Sequence, residues 1–357
     1  MALTAQSVTY NTIAALALDK LAPKIADNIS KSNAAFFMLK KKGNWEGVTS
    51  GGRQLRKSVM YQLQTVKPIG SFGTVNVNPT ESHTSAYFDW VQFAVPVSFS
   101  DLEEFKTGGS ESIQSIVKAK YQQATASMED FFDRAFMRGQ GDIDSASYET
   151  PYTSTTDGSQ FIVPIQGIID ILPTGARTVG GIAQATNSWW QNQYLASSAT
   201  TLAGFLGELR KQHVACQRGG GGSNKAPDFH ILEERTFSVY ERALSISHRN
   251  PSYMKADIPF DNVLFKGAPV THDEYMPDNT ASSNTITEGT WLMCNSNVMG
   301  FTYDKKKSFK LGANVRPGNQ LVTTALMPVR GTFWVNNRRK QSNISSIVVA
   351  TLEAATS

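Results

Sequence analysis

The side chains that most often carry catalysis or bind metals are few in this chain and lie far apart in its sequence. The five histidines are His83, His213, His230, His248 and His272. None of them falls in a metal-binding spacing such as HExxH, and His213 falls on the apolar side of a predicted helix, where a core position is the usual explanation. The two cysteines, Cys216 and Cys294, are too few for a disulfide framework or a zinc site. These residues predict no metal centre and no cofactor.

Other patterns that can indicate catalysis are incomplete. The glycines at 219–222 resemble a phosphate-binding loop, but Lys225 does not follow the last glycine directly and no Ser or Thr follows the lysine. Asp142 and Asp144 are spaced like calcium ligands, yet the turn glycine and the closing glutamate of a calcium loop are missing. The chain has no GxSxG motif. Paired carboxylates are adjacent in sequence and would not converge on one substrate; they are Glu103-Glu104, Glu129-Asp130 and Glu233-Glu234. We therefore expect no catalytic site.

The composition indicates a folded chain with an unusually uncharged surface. Hydrophobic residues make up 40% of the 357 residues and charged residues 18%, below the ~25% that is typical. A polar, uncharged surface suits broad contacts between subunits. The 34 Lys and Arg against 30 Asp and Glu give a net charge of +4, too small to indicate a dedicated nucleic-acid-binding protein. Without a signal peptide or an apolar run of ~20 residues, we expect a chain of cytosolic origin that does not span a membrane.

Residues 11–43 predict a helical arm. Apolar residues recur at helical spacing between positions 13 and 39, with an interruption at Pro23. Lys40, Lys41 and Lys42 precede a glycine, which is typical of a helix C-terminus. Two explanations of this lysine run stay open: a solvated helix end, which the helix dipole favours, or a contact with nucleic acid.

Residues 47 to 99 contain two stretches in which apolar and polar residues alternate. This period of two is typical of half-buried strands. The segment between them, 65 to 85, is rich in the turn residues Gly, Pro and Asn. A two-stranded ribbon is at best marginally stable alone in water, so its apolar face must lie on something else, and another subunit is one candidate.

A single long amphipathic helix follows the ribbon. From 110 to 139, apolar residues recur at steps of three and four, and no Pro or Gly occurs between Ser110 and Arg138. Ser110 is a suitable N-cap and Gly139 a suitable stop. At 1.5 Å per residue this helix would be about 43 Å long, far above the mean of about three turns.

The rest of the chain predicts a mixture of helices and strands. Helices are expected at 201–216 and 237–246. Strands are expected at 229–232, 263–265, 269–271, 291–294, 309–311, 321–327, 332–335 and 346–352. Because such strands pair with partners distant in sequence, the predicted fold class is α+β. Two further basic clusters lie at 305–307 and 338–340; the first is expected to be solvated, whereas Arg338 and Arg339 suit interface carboxylates or phosphate.

Short sequence motifs occur in a fixed order along nearly the whole chain. They are Ser30-Lys31-Ser32-Asn33, Gly51-Gly52-Arg53, Tyr87-Phe88-Asp89-Trp90-Val91-Gln92, Trp189-Trp190, Pro227-Asp228, Phe265-Lys266-Gly267-Ala268-Pro269-Val270 with Asp273, Pro317-Gly318-Asn319-Gln320, and Asn336-Asn337-Arg338-Arg339-Lys340-Gln341. Each motif is weak by itself. With the layout of arm, ribbon, long helix and mixed lobes, they resemble the major capsid proteins of tailed phages, which share the Hong Kong 97-like fold.

The resemblance implies an α+β capsid fold with five parts. These are an N-terminal arm at 1–46, an extended β-hairpin called the E-loop at 47–99, a peripheral (P) domain at 100–225 whose spine helix is 110–139, an axial (A) domain at 226–290, and strands at 291–357 that return through the P domain and end in the A domain.

The resemblance also implies contacts between subunits in place of a catalytic site. Each E-loop would lie over the spine helix of a neighbouring copy. The implied contact residues of the E-loop are Tyr61, Leu63, Phe72, Tyr87, Trp90, Val91 and Phe93. Those of the spine helix are Lys118, Tyr121 and Glu129. Basic residues implied to face DNA or an interface are Lys40, Lys41, Lys42, Arg338 and Arg339.

The implied function is that of a structural protein without enzymatic activity, the major capsid protein of a tailed phage. Copies of the chain would form the hexamers and pentamers of an icosahedral head around double-stranded DNA, which is bound without sequence specificity. Further implied partners are a scaffolding protein, expected as a separate chain because the sequence begins with the arm, a portal protein at one vertex, and a cement or decoration protein. The implied location is the virion, after assembly in the cytoplasm of the bacterial host. An encapsulin-like compartment of the same fold, or an enzyme with an unrecognised site, remains as an alternative.

Overall fold

The computed structural model describes residues 34–42, 44–64, 66–74, 78, 80–102, 110–138, 169, 174, 178–217, 226–247, 262–273, 276, 289–318 and 321–354. The predicted arm helix before residue 34, the Asp142 and Asp144 pair and the glycines at 219–222 lie outside the described residues.

Helices and strands alternate irregularly along the described chain. In chain order they are α1 (Ala34–Lys42), β1 (Trp45–Val48), β2 (Leu55–Met60), β3 (His83–Phe88), β4 (Val91–Ser100), α2 (Ser110–Arg138), β5 (Thr178–Val179), β6 (Ile182–Ala183), β7 (Gln193–Ala196), α3 (Leu202–Gln217), β8 (Phe229–Leu232), α4 (Glu234–Ser247), β9 (Asn262–Phe265), β10 (Ala268–His272), β11 (Trp291–Cys294), β12 (Met299–Asp304), β13 (Val322–Val335), β14 (Ser342–Ser345) and α5 (Val349–Ala354). Short 3-10 turns at Ser188–Trp190, Ser296–Val298 and Arg338–Lys340 connect some of them.

A four-stranded sheet packs against the long helix α2 and forms the first lobe. Its strand order is β1-β12-β13-β4, with β1 parallel to β12 and the other pairs antiparallel. The apolar stripe of α2 meets this sheet through aromatic rings. The ring centroids of Phe132 and Phe301 are 5.3 Å apart, and those of Phe136 and Phe333 are 4.7 Å apart. Because the spacing of these side chains puts them on one helix face, α2 is held along the sheet of its own chain.

A six-stranded mixed sheet with three helices forms the second lobe. Its strand order is β7-β14-β11-β8-β10-β9, and α3, α4 and α5 contribute to the core on one of its faces. The two faces of the central strand β11 lie in different hydrophobic cores. Trp291 and Met293 pack with the helices, whereas Leu292 and Cys294 pack in the core that continues into the first lobe. A strand buried on both faces needs such a continuous apolar run.

The third feature is a two-stranded ribbon made by β2 and β3. Their register pairs Leu55 with Phe88 and Met60 with His83, and the pairing extends to a bond from the Tyr61 N–H to the Ser82 carbonyl at 3.0 Å. We call residues 49–88 the ribbon and residues 62–81 the ribbon tip.

The small hairpin of β5 and β6 supports the base of the ribbon. The Tyr87 N–H donates to the carbonyl of Gly180 at 3.1 Å. Gly180 has φ +61°, and a Cβ there would lie 2.8 Å from the Cβ of Ala86. Only glycine combines this conformation with so close an approach, so this turn fixes where the ribbon leaves the molecule.

The predicted fold class and both predicted long helices are confirmed. The structure has an α+β fold, with α2 at Ser110–Arg138 and α3 at Leu202–Gln217. The strand predicted at 309–311 is wrong, because Phe309 adopts a left-handed conformation with φ +59° inside a turn. The strand predicted at 346–352 is also wrong: β14 ends at Ser345, Ser346 has φ +58°, and α5 follows. The strands predicted at 321–327 and 332–335 form one continuous strand, β13.

Strand pairing divides the chain differently from the predicted domains. The predicted E-loop, 47–99, includes β4, but β4 pairs with β13 over its whole length, from Val91 with Gly331 to Ser100 with Val322. The returning strand of the ribbon therefore ends at Phe88. Residues 193–217 contribute β7 and α3 to the second lobe.

Candidate interaction surface on the ribbon

The ribbon tip exposes a row of large apolar side chains. Leu63 is 75% exposed, Val66 92%, Ile69 53% and Phe72 fully exposed. Single exposed apolar residues are common on protein surfaces, but several within ten residues of one protruding segment indicate an interaction site. Leu63 and Phe72, both predicted as contact residues, are therefore free of their own chain and available to a partner.

The base of the ribbon is fixed to its own chain by a second set of contacts. The Tyr61 ring stacks on Trp189 with the ring centroids 5.1 Å apart. The Trp90 Nε1–H donates to the Gly51 carbonyl at 2.8 Å, and the Gln54 amide donates to Asp89 at 2.7 Å. Tyr61 and Trp90, which were predicted to contact another subunit, thus have partners within the chain. Their contacts position the ribbon.

Lys57 and Tyr87 complete this base. The Lys57 ammonium lies 3.6 Å from the centroid of the Trp334 ring and 3.3 Å from a Glu46 carboxylate oxygen. The Tyr87 ring lies over Gly181, and a Cβ at position 181 would lie 2.5 Å from an atom of this ring. Tyr87 is nevertheless 41% exposed. The ribbon is therefore anchored at its base, while its tip is exposed.

Val91 and Phe93, which were predicted as contact residues of the E-loop, lie outside the ribbon. Both lie in β4. Val91 is buried, and the Phe93 ring lies 5.0 Å from Phe131 and 5.7 Å from Phe132 of α2. Val91 belongs to the core of the first lobe and the half-buried Phe93 packs against it, because β4 pairs with β13 and extends one sheet instead of continuing the ribbon.

The middle of α2 exposes a polar strip with one aromatic residue. Lys118, Tyr121, Gln122 and Gln123 are all exposed. Lys118 and Tyr121 were predicted as contact residues and are accessible. Glu129 lies 3.9 Å from the Lys40 ammonium of the same chain, so this residue helps to join α1 to α2.

The predicted basic residues divide into exposed and buried ones. Lys40, Lys41 and Arg339 are exposed, and the side chain of Lys42 lies outside the described residues. Arg338 is completely buried, so its predicted position facing DNA or a subunit interface is wrong.

Neutral acceptors inside the protein account for the burial of Arg338. Its guanidinium donates to Gln184 Oε1 at 2.8 Å, to the Trp190 carbonyl at 3.3 Å and to Asn192 Oδ1 at 3.5 Å. A planar fork with five N–H donors suits several acceptors at once. Arg338 therefore ties the turn between β13 and β14 to the segment around Trp190.

A cleft at the base of the ribbon was not predicted. Its volume is about 440 Å³, and its lining includes Trp90, Lys306, Lys307 and Arg330 beside Asp304. The Arg330 Nε–H donates to Gln92 at 2.9 Å, and its guanidinium lies 4.0 Å from Asp304. The lining thus carries an excess of cations, which suits a carboxylate or a phosphate group.

The described residues can be compared with the requirements of a metal site and of a nucleophilic thiol. Among them, no group of three His, Cys, Asp or Glu side chains could hold a metal ion. Burial raises the pKa of Cys216 to about 12 and raises that of Cys294 well above its usual value, so neither thiol ionises to a nucleophile near neutral pH. No helix of the described chain is both long and apolar enough to cross a membrane.

Comparison with known proteins gives structural likenesses only. No protein-family model matches the sequence, and no curated protein matches it. The capsid asymmetric unit of Cyanophage A-1(L) is similar with a TM-score of 0.64 and 13% identity, over 92% of this chain and 96% of that one. The capsid of a native GTA particle is similar with a TM-score of 0.57 and 12% identity, over 91% and 94%. The holo-SrpI encapsulin complex from Synechococcus elongatus PCC 7942 is similar with a TM-score of 0.54 and 10% identity, over 98% and 97%.

These likenesses define the class of fold, which is that of shell-forming proteins. All three structures are capsids or an encapsulin, and each match spans nearly the whole of both chains. Within that class, the chain has the Hong Kong 97-like fold of tailed-phage major capsid proteins, as the sequence resemblance predicted.

Proposed function

We propose that this chain is the major capsid protein of a tailed bacteriophage. Many copies would assemble into a closed icosahedral shell around double-stranded DNA, and the chain would carry out no catalysis. The observation that carries the proposal is the row of exposed apolar side chains on the ribbon tip, from Leu63 to Phe72, which a monomer would leave in water. The likeness to phage capsid folds over more than nine-tenths of the chain supports it.

The proposed mechanism is a reciprocal contact between copies. The ribbon tip of one copy would lie on the exposed strip of α2 in the next, where Lys118 and Tyr121 are accessible. Each copy would give one ribbon and receive one, so that a ring closes when every ribbon is seated. Many modest contacts closed by symmetry make a shell far more stable than one interface.

An anchored base and a glycine-containing tip suit a ribbon that must fit both hexamers and pentamers. Gly51 and Gly52 lie where the ribbon begins, and Gly52 has φ +58° with open space around its Cα. On the returning side, Asp89 and Trp90 separate β3 from β4. Because the contacts of Trp90 and Tyr87 hold these connections in place, a change of angle between hexamers and pentamers would occur in the tip, which contains Gly70 and Gly73.

Other partners belong to the same proposal. A separate scaffolding protein would guide assembly in the cytoplasm of the bacterial host, a portal protein would occupy one vertex of the virion, and a cement or decoration protein would bind outside. Packaged DNA would be held without sequence specificity. The exposed Lys40, Lys41 and Arg339 are the candidates for contact with DNA or with neighbouring copies.

A protein compartment of the encapsulin type is the second candidate function. The similarity to an encapsulin, which covers 98% of this chain, favours it. The contents of purified particles distinguish the two functions: a phage capsid would enclose double-stranded DNA after infection, and a compartment would enclose a cargo protein.

The assembly proposal is tested by shortening the ribbon. In the test variant, an Asn-Gly pair replaces residues 62–81, because a two-residue turn of this type can join paired strands and keeps the bond between Tyr61 and Ser82. The purified wild-type chain is expected to form capsomers, tubes or shells in sedimentation and electron microscopy. The shortened chain should fold with the same helical circular dichroism but form no closed shells. A wild-type chain that stays monomeric, or normal shells from the shortened chain, would contradict the proposal.

A further inference from the structure

Two histidines face each other inside the second lobe, between α3 and the six-stranded sheet. His213 lies on α3 and His230 on β8; both are buried, and their ring centroids are 6.3 Å apart. The Phe265 ring packs edge-on against both, at 5.6 Å and 5.5 Å. The pair therefore lies where the helix layer meets the sheet.

Hydrogen bonding fixes one imidazole and leaves a nitrogen of each without a partner. The Trp291 Nε1–H donates to His230 Nδ1 at 3.3 Å, so the neutral ring of His230 carries its proton on Nε2. Within the described part of the chain, neither His230 Nε2 nor His213 Nδ1 has a hydrogen-bond partner, and both are buried. The extra proton of a His230 imidazolium would go to Nδ1 and would remove the bond from Trp291. A proton on His213 Nδ1 would have no described acceptor.

The charges around the pair also oppose its protonation. Burial, and secondarily the Lys266 ammonium, lowers the pKa of His213 to about 4. Burial, and secondarily His213, lowers the pKa of His230 to about 3. The carboxylates near the pair in sequence have other partners: Glu208 accepts from Ser197, Asp228 accepts from the Ser296 N–H, and Glu233 accepts from the Gly289 N–H. The two carboxylates of α4, Glu234 and Glu241, are exposed. The remaining titratable or charged groups of the surrounding elements are Arg210, Lys211 and Cys216 on α3, Arg235, Tyr240 and Arg242 on α4, His272 on β10 and Cys294 on β11.

We propose that His213 and His230 form an acid-sensitive latch, which holds α3 against the six-stranded sheet while both rings are neutral and releases it when they take up protons. Protonation would place two cations among Phe265, Trp291 and the other apolar side chains of this core. α3 can relieve that repulsion by separating from the sheet, which exposes both rings to water. The latch is a property of the folded chain and does not depend on assembly.

The direction of the pH effect follows from the two pKa values. In the unfolded chain both imidazoles titrate near 6.5, whereas in the folded chain they titrate at about 4 and about 3. The pair leaves stability unaffected above pH 6.5, and its destabilising effect grows as the pH falls from 6.5 towards 4. Near pH 5 the unfolded chain binds close to two more protons than the folded chain does. The equilibrium constant of unfolding should therefore rise by up to ~100-fold for each pH unit by which the pH falls.

The test compares urea unfolding of the wild type and of the double variant His213→Gln/His230→Gln at pH 7, 6 and 5. Glutamine is neutral throughout, and its amide oxygen can still accept the Trp291 bond. The wild-type midpoint should fall steeply from pH 6 to pH 5, and the midpoint of the double variant should stay nearly constant. The matched control His83→Gln removes an exposed histidine and should retain the wild-type fall. An equal fall in the double variant would overturn the proposal.

If the double variant does not fold, a second measurement tests the proposal on the wild type alone. Hydrogen exchange of the wild type at pH 7 and pH 4.5, corrected for the intrinsic exchange rates, compares α3 with α2. Loss of protection in α3 before α2 supports the latch. Equal protection of α3 at both pH values, or simultaneous loss in both helices, would overturn it.

Discussion

Replacing the exposed apolar side chains of the ribbon tip should abolish assembly without unfolding the chain. The fourfold variant carries serine in place of Leu63, Val66, Ile69 and Phe72. Because these side chains are largely or fully exposed, the monomer loses little packing, and each substitution should change the free energy of unfolding by no more than about 0.5 kcal/mol.

The expected effect on association follows from the exposed area. The exposed fractions of the four residues together equal about three fully exposed side chains, and burial of each such side chain stabilises by ~1.5–3 kcal/mol. Complete burial on a neighbouring copy would therefore contribute ~5–10 kcal/mol per ribbon. Since 1.4 kcal/mol corresponds to a tenfold change in affinity, the association constant between copies should fall by at least ~1,000-fold.

Sedimentation velocity over a range of protein concentrations measures this effect directly. The wild type should sediment as capsomers or larger particles at concentrations where the fourfold variant is monomeric, and thermal unfolding should show both chains folded. The matched control replaces Gln62 and Gln64 of the same tip with serine; it alters exposed polar side chains and should assemble like the wild type. Assembly of the fourfold variant at wild-type concentrations would refute the argument that this apolar row drives association.

Two further substitutions test the supports of the ribbon and of the turn after β13. Arg338→Met should destabilise the chain by about 3 kcal/mol, because the buried neutral acceptors on Gln184, Trp190 and Asn192 lose this donor. Urea unfolding measures the change; an unchanged midpoint would contradict the proposed tie to Gln184. Gly180→Ala should lower the free energy of unfolding, measured by thermal denaturation, by ~1–3 kcal/mol. Alanine is strained at φ +61°, and its Cβ would lie 2.8 Å from the Cβ of Ala86. Gly207→Ala, in helix α3 with open space around it, is the matched control and should not destabilise; equal effects at both glycines would refute the close-approach argument.

The helices and their buried faces were predictable because their signal is local. Apolar residues three and four positions apart defined α2 before any partner was known. The same spacing in α3 put Leu202, Phe205 and His213 on one side, and all three are buried. The expectation of a two-stranded ribbon also came from local alternation, and the pairing of β2 with β3 agrees with it. The apolar face of these two strands lies on the core of their own chain, where Val59 and Phe88 are buried.

The predictions that failed depended on contacts between distant parts of the sequence. Alternation in the segment around Phe93 is the same for a ribbon strand and for a sheet strand; only pairing with β13, more than 200 residues later, distinguishes the two. Arg338 lies in a basic cluster, and its sequence neighbours give no indication that Gln184 and Asn192 supply buried acceptors. The support of Tyr61 by Trp189 was missed for the same reason.

A cryo-electron microscopy reconstruction of the assembled particle tests the central claim most directly, because it shows where each ribbon tip lies. The account predicts a closed shell in which Leu63 and Phe72 of every copy are buried against the α2 helix of a neighbouring copy. A particle whose ribbon tips remain exposed to solvent, or fold back on their own chain, would contradict it.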